Sequence, residues 1–171
     1  MSDYLKRSTT GLEEANAIDE STGAADAGKI PKTNAQGKVD ESFLPTGVGD
    51  ETYTAEASES LAAGDYINLF DDSGTVKMRK ADASNGRRAH GFVRASFSAE
   101  ATATAYGAGY INDQLTGLTP AATYYLSTTA GDGATAGPAS AASHIHQELG
   151  VALSATALLF VPAQPIALVG A

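Results

Sequence analysis

The chain has 171 residues, a formal net charge of −9 and no cysteine. Its length allows one domain with a real core and an appendage beside it. The missing thiols exclude a disulfide framework and a thiolate zinc site, and the acidic balance argues against nucleic acid and anionic membrane surfaces as partners.

The first residues, MSDYLKRSTTGLEEANAIDE, show no basic-then-apolar leader. No apolar run approaches the roughly 20 residues needed to span a bilayer. A soluble protein with no membrane association and no export signal is expected. Charged residues make up 18% of the chain, below the roughly 25% of ordinary domains. Ala, Thr, Ser and Gly take their place, which predicts a polar surface whose contacts depend little on salt.

Residues 1–50 hold only isolated apolar positions, among them Tyr4, Leu5, Leu12, Ile18, Ile30, Val39, Phe43, Leu44 and Val48. Gly, Pro and Asp separate them, and they are too few to close a core. An extended, largely irregular N-terminal arm is expected here, with a short helix over residues 11–19 as the one regular alternative. Within it, "GKIPKTNAQGKVDESFLP" (residues 28–45) is too irregular for a core element and too apolar for a linker. Ile30, Pro31, Val39, Phe43 and Leu44 are the candidate partner-binding residues, because they are the apolar groups that docking would bury.

From residue 51 onward the texture is that of an all-β domain, a single compact sandwich or barrel of short antiparallel strands. Residues 65–70 and 75–79 each alternate apolar and polar side chains and flank "DDSG", which predicts a hairpin closed by a four-residue type I connection. Further strands are expected over 91–97, 100–106, 109–112, 123–126, 147–153 and 157–161. The last, "ALLFV", is a continuous apolar run that should lie in the core. "QPIALV" (164–169) is apolar where a terminus is usually polar, and is expected to pack, for instance on a neighbouring subunit.

The six cations of this domain, Lys77, Arg79, Lys80, Arg87, Arg88 and Arg94, fall in one stretch, and no Lys or Arg follows Arg94. Lys77 and Arg79 share a strand face by period two, beside the Asn85-Gly86-Arg87-Arg88 loop. Lys77, Arg79, Arg87 and Arg88 are therefore candidate ionic contacts to a neighbouring subunit or a partner; an ordinary solvated face is the simpler reading. The lack of interleaved aromatics argues against a nucleic-acid patch. His144 and His146 have metal-ligand spacing, and Glu148 continues that face. With no wider ligand set in the sequence, polar residues on an outer strand face account for them better. His90 stands alone. "DDSG" and "GDG" read as turns and not as calcium loops. Tyr106, Tyr110, Tyr124 and Tyr125 have the chemistry to stack on sugars, but more simply bridge core and surface. No nucleophile elbow, phosphate loop or paired carboxylates point to catalysis. No enzymatic activity, cofactor, metal or catalytic residue is expected.

The arm and the segments "AAGDYINLF", "HGFVRASF", "GLTPAATYYLSTTAGDG" and "ELGVALSATALLFVP" together resemble tailed-bacteriophage virion proteins, those of head decoration and of head or tail fibres. The similarity spans about residues 23–162. It implies a structural protein on the capsid exterior, made in the host cytoplasm during assembly. A capsid decoration or cement role fits one compact domain with one arm: the arm would span neighbouring copies of the major capsid protein and the β-domain would stand on the shell as a homotrimer. The alternative it implies is a tail or head-fibre module binding host-surface glycan.

Overall fold

A computed structural model describes residues 3–8, 11–35, 37–44 and 52–169. The chain forms two compact units, Met1–Asp50 and Glu51–Ala171. Pro45 and Val48 lie outside the described residues.

The first unit opens with a hairpin, β1 (Asp3–Ser8) and β2 (Gly11–Asn16), paired antiparallel from Asp3 opposite Asn16 to Ser8 opposite Gly11. The short helix that was the regular alternative over residues 11–19 is absent from the described residues, which form a strand over Gly11–Asn16 instead. Gly11, at φ 139, cannot be helical, and the stretch has no apolar stripe for a helix to bury. Residues 18–35 and 37–44 follow as successive turns, with 3-10 turns at Ala24–Asp26 and Glu41–Phe43.

The second unit is all-β. Its strands are β3 (Thr52–Ala57), β4 (Tyr66–Asp72), β5 (Thr75–Lys80), β6 (Gly91–Val93), β7 (Thr102–Tyr106), β8 (Ile111–Asn112), β9 (Thr123–Leu126), β10 (Gly133–Ala134), β11 (Ile145–His146), β12 (Glu148–Ala152), β13 (Leu158–Phe160) and β14 (Ile166–Ala167). The first five close a barrel in the order β3-β5-β4-β6-β7, a second sheet runs β10-β9-β12-β13-β8, and β11 pairs with β14. All pairs are antiparallel except β3–β5, where Glu56 and Ala57 run parallel to Lys77 and Met78.

The β4–β5 hairpin is present, but its connection is shorter than expected. The strands continue to Asp72 and Thr75, leaving Ser73-Gly74 as a two-residue turn with φ 56 and 90. Positive φ at both positions matches the right-handed strand twist, which a type I turn would oppose. Asp71 Oδ1 caps the turn by accepting from the Gly74 N–H at 2.9 Å.

Strand alternation explains why the unit has two cores. Ile67, Met78, Val93, Ala103 and Ala105 point into the barrel with Ala57 and Leu61. Their neighbours Tyr66 and Phe92 point out, onto Tyr124, Leu126, Leu149, Leu158 and Phe160 of the second sheet. The aromatic rings of Tyr66, Phe92 and Phe160 meet at centroid distances of 5.6–5.7 Å. In "ALLFV", only Leu158 and Phe160 are buried, while Val161 is 54% exposed. That run has one fully buried face: Leu159, on the outer side of β13, is half-buried. Nor does the C-terminal segment bury its side chains: Ile166 and Val169 are 63% and 83% exposed.

Gly150 fixes the register of the second sheet. The β9–β12 pairing shifts between Glu148 and Gly150. Gly150 has φ 141, and a Cβ there would overlap the Leu159 carbonyl oxygen. Only glycine permits both that backbone conformation and that approach.

Candidate functional site

The arm motif is organised by side chains that hydrogen-bond to nearby backbone. Asp26 accepts from the Thr22 N–H (2.6 Å) and hydroxyl (2.7 Å) and from Lys29 Nζ (2.6 Å). These donors, Lys29 first, hold its carboxyl well below the usual carboxylate range. Ile18 forms a parallel bridge with Pro31, its N–H donating to Ile30 O at 3.0 Å and its carbonyl accepting from the Lys32 N–H at 2.8 Å. Asn34 shapes the next turn: its Oδ1 accepts from the Lys38 N–H, and its carbonyl from the Gly37 N–H. Asp40 then starts the turn at Glu41–Phe43 by accepting from the Ser42 N–H at 3.0 Å, which lowers its pKa. Asx-type turns of this kind set the chain direction without a core.

These turns leave the candidate apolar residues outward. Ile30, Val39 and Leu44 are 48%, 57% and 43% exposed; Pro31 is also exposed, and Phe43 is half-buried.

The cationic candidates of the second unit separate into two kinds. Lys77 is committed within the chain, 3.0 Å from Glu56 and 2.8 Å from Asp72. Donating hydrogen bonds to these carboxylates, Asp72 first and then Glu56, raises its pKa. Arg79, Arg87 and Arg88 have no carboxylate partner among the described residues. Arg79 lies over the Phe70 ring, 4.2 Å from its centroid, and its Nε donates to Asn68 Oδ1 at 3.0 Å. Burial and the nearby Arg87 lower its pKa. Sequence spacing placed Lys77 and Arg79 on one face; the acids that take Lys77 come from strands β3 and β4.

The tyrosine and histidine candidates make contacts within the second unit. Tyr124 is buried and its hydroxyl accepts from the Thr119 N–H at 3.0 Å. Arg94 covers Tyr106 at 4.3 Å, and Tyr125 packs on His146 at 4.7 Å. His144 Nδ1 lies 2.9 Å from Ala139 O. Among the described residues no three His, Cys, Asp or Glu side chains converge as metal ligands, and no helix is long and apolar enough to cross a membrane.

The second unit is indented by small cavities, two of which border candidate residues. One, of about 230 Å³, is bordered by Asp65, Gln114, Leu118, Tyr124 and Asp132. The other, of about 220 Å³, is bordered by Arg88, His90, Gln147 and residues 162–165. Sequence reasoning missed the second because its walls lie up to 77 positions apart, from Arg88 to Pro165. Compared with protein-family models, characterised proteins and solved structures, the chain matches none.

Proposed function

We propose that the protein is a non-enzymatic structural component of a bacteriophage virion: a homotrimeric decoration protein that binds and stabilises the shell of major capsid protein. The observation that carries this reading is the exposure of Ile30, Val39 and Leu44 on a backbone whose turns are set by local hydrogen bonds. Burying one such side chain in a partner's groove is worth about 1.5–3 kcal/mol. Several along one arm engage neighbouring subunits together, and the linked contacts strengthen binding steeply. Turns already set also reduce the entropy lost on docking. The virion assignment rests on the resemblance of residues 23–162 to phage decoration and fibre proteins.

Binding of the purified full chain to capsids lacking it tests the proposal. Removing residues 1–50, or replacing Phe43 and Leu44 together by Ser, should abolish sedimentation with the capsids while the β-domain keeps its circular dichroism. Undiminished occupancy by the truncated chain would refute it.

A second reading, adhesion to host-surface glycan, draws on the cavity bordered by Asp65, Gln114, Tyr124 and Asp132. Carboxylates and an amide beside an aromatic wall suit sugar hydroxyls, and the volume, under the roughly 300 Å³ of ordinary ligand pockets, restricts the occupant to about one ring. A glycan array probed with the full chain separates the two readings, since a decoration protein gives no signal.

A further inference from the structure

The β1–β2 hairpin is a two-stranded sheet, with no third strand beside it among the described residues. An isolated pair of strands is marginal in water and gains stability when another strand joins it. The register shows which backbone groups are left for that strand. Two residues connect β1 to β2, so the closing pair, Ser8 and Gly11, must exchange its hydrogen bonds directly. Bonded and non-bonded pairs alternate along an antiparallel ladder. Lys6 and Tyr4 therefore bond to Glu13 and Ala15, while the N–H and C=O groups of Asp3, Leu5 and Arg7 face away from β2. By the same count Leu12, Glu14 and Asn16 present theirs on the far side of β2.

The two open sides differ in the charge pattern along them. β1 reads Asp-Tyr-Leu-Lys-Arg-Ser, negative at its start and positive toward its end. An antiparallel copy centred on Leu5 sets Asp3 opposite Arg7, Tyr4 opposite Lys6 and Leu5 opposite Leu5. Asp3, Leu5 and Arg7 are also the residues whose backbone groups are open, so charge and hydrogen bonding select the same register. Sliding the copy two residues toward the turn puts Lys6 opposite Lys6, and a parallel copy in register brings every like charge together. β2 has no such arrangement. It reads Gly-Leu-Glu-Glu-Ala-Asn and meets a copy of itself with Glu14 opposite Glu14 or, slid by two residues, Glu13 opposite Glu13. Like charges directly opposite each other are destabilising.

We propose that β1 pairs antiparallel with β1 of a second copy of this chain about a two-fold axis at Leu5, joining two hairpins into one sheet in the order β2-β1-β1-β2. Such an isologous contact closes on itself: both β1 sides are consumed, and the β2 sides that remain repel one another. Head-to-tail stacking of β1 on β2 of the next copy would leave one side of each kind open and grow without end. The contact does not rest on the capsid-binding role of Ile30, Val39 and Leu44. Where the β-domains form trimers, it links one trimer to the next.

The chain has no cysteine, so a single introduced thiol reports the contact. Opposite residues of a bonded antiparallel pair have Cα atoms about 5.5 Å apart, within disulfide reach. Under mild oxidation the full chain carrying Leu5→Cys should cross-link to dimers at least tenfold faster than one carrying Ala99→Cys, an exposed position of the β-domain. Adding Asp3→Arg or Arg7→Asp to the Leu5→Cys chain should slow cross-linking roughly fivefold, because either one sets like charges opposite each other at both ends of the ladder. Mixing those two variants should restore the rate, since each then meets its complement; unchanged circular dichroism shows that the β-domain of each is intact. Equal rates for Leu5→Cys and Ala99→Cys would overturn the pairing. A mixture that does not recover would overturn the register. Faster linking of Leu5→Cys to Glu14→Cys than to itself would overturn the two-fold arrangement in favour of head-to-tail stacking.

Discussion

Every buried apolar residue among those described, from Ala57 to Phe160, belongs to Glu51–Ala171. In Met1–Asp50, Asp26, Asn34 and Asp40 fix turns by accepting backbone N–H groups, and the large apolar side chains Ile30, Val39 and Leu44 face outward. The contrast separates two ways of determining a backbone path. A core makes positions interdependent, because close packing transmits any change in volume. A string of Asx turns is a set of local events, each lost or kept with little effect on the next. A segment of the second kind keeps its path through local bonds and can lose one turn without losing the rest.

Substitutions of four kinds test that contrast, the largest effect first. Phe160→Ala removes a ring packed against both Tyr66 and Phe92. It should cost about 3–5 kcal/mol in urea unfolding of the β-domain. A loss under 1 kcal/mol would mean that the second core is not tightly packed. Gly150→Ala forces a side chain into positive φ and into the Leu159 carbonyl, and should cost at least about 1–3 kcal/mol; thermal unfolding measures it. Tyr53→Phe acts in the opposite direction. The Tyr53 hydroxyl is buried with no partner among the described residues, and burial pushes its pKa up to about 12. Deleting it should leave stability unchanged or raise it by about 1 kcal/mol, and a clear loss would reveal an acceptor. Asp26→Asn should leave the main unfolding transition where it is and speed proteolysis within residues 22–29. A shift of the main transition would show that the first unit's turns are not local.

Acid sharpens the same contrast. The pKa of His90 is lowered in the folded state, so above the unfolded value of about 6.5 the ring is neutral folded or unfolded and contributes nothing to pH dependence. Below it the unfolded chain takes up the proton more readily, and β-domain stability should fall between pH 7 and 5. Replacing His90 by Gln should flatten that slope. An unchanged slope would assign it to other groups.

The all-β class was legible because alternation in residues 65–80 and 123–126 is local information that a strand must satisfy. The parallel β3–β5 pairing that closes the barrel was not, since it depends on which of several similar strands meet. The run "ALLFV" does supply core residues, Leu158 and Phe160; that Val161 faces outward was not legible, because two apolar faces look alike in sequence whether or not a layer covers the second. The hairpin at β1–β2 carries no apolar alternation to betray it. For the candidate sites, the spacing that put Lys77 beside Arg79 was sound. The Glu56 that pairs with Lys77, and the contacts of Asn68 with Arg88 and His90, are cross-strand and loop contacts about 20 positions apart, beyond the reach of periodicity.

The barrel and its companion sheet also differ in what they offer a passing polypeptide. A ring of strands has no free rim, and the companion sheet ends at β8 and β10, each two residues long. Unpaired rims are where chains zip into fibres, and short ones give little for another strand to grip. Copies of the β-domain crowded side by side therefore have only short strand edges through which to pair; the six-residue strands of the β1–β2 hairpin are the longer rims of the chain.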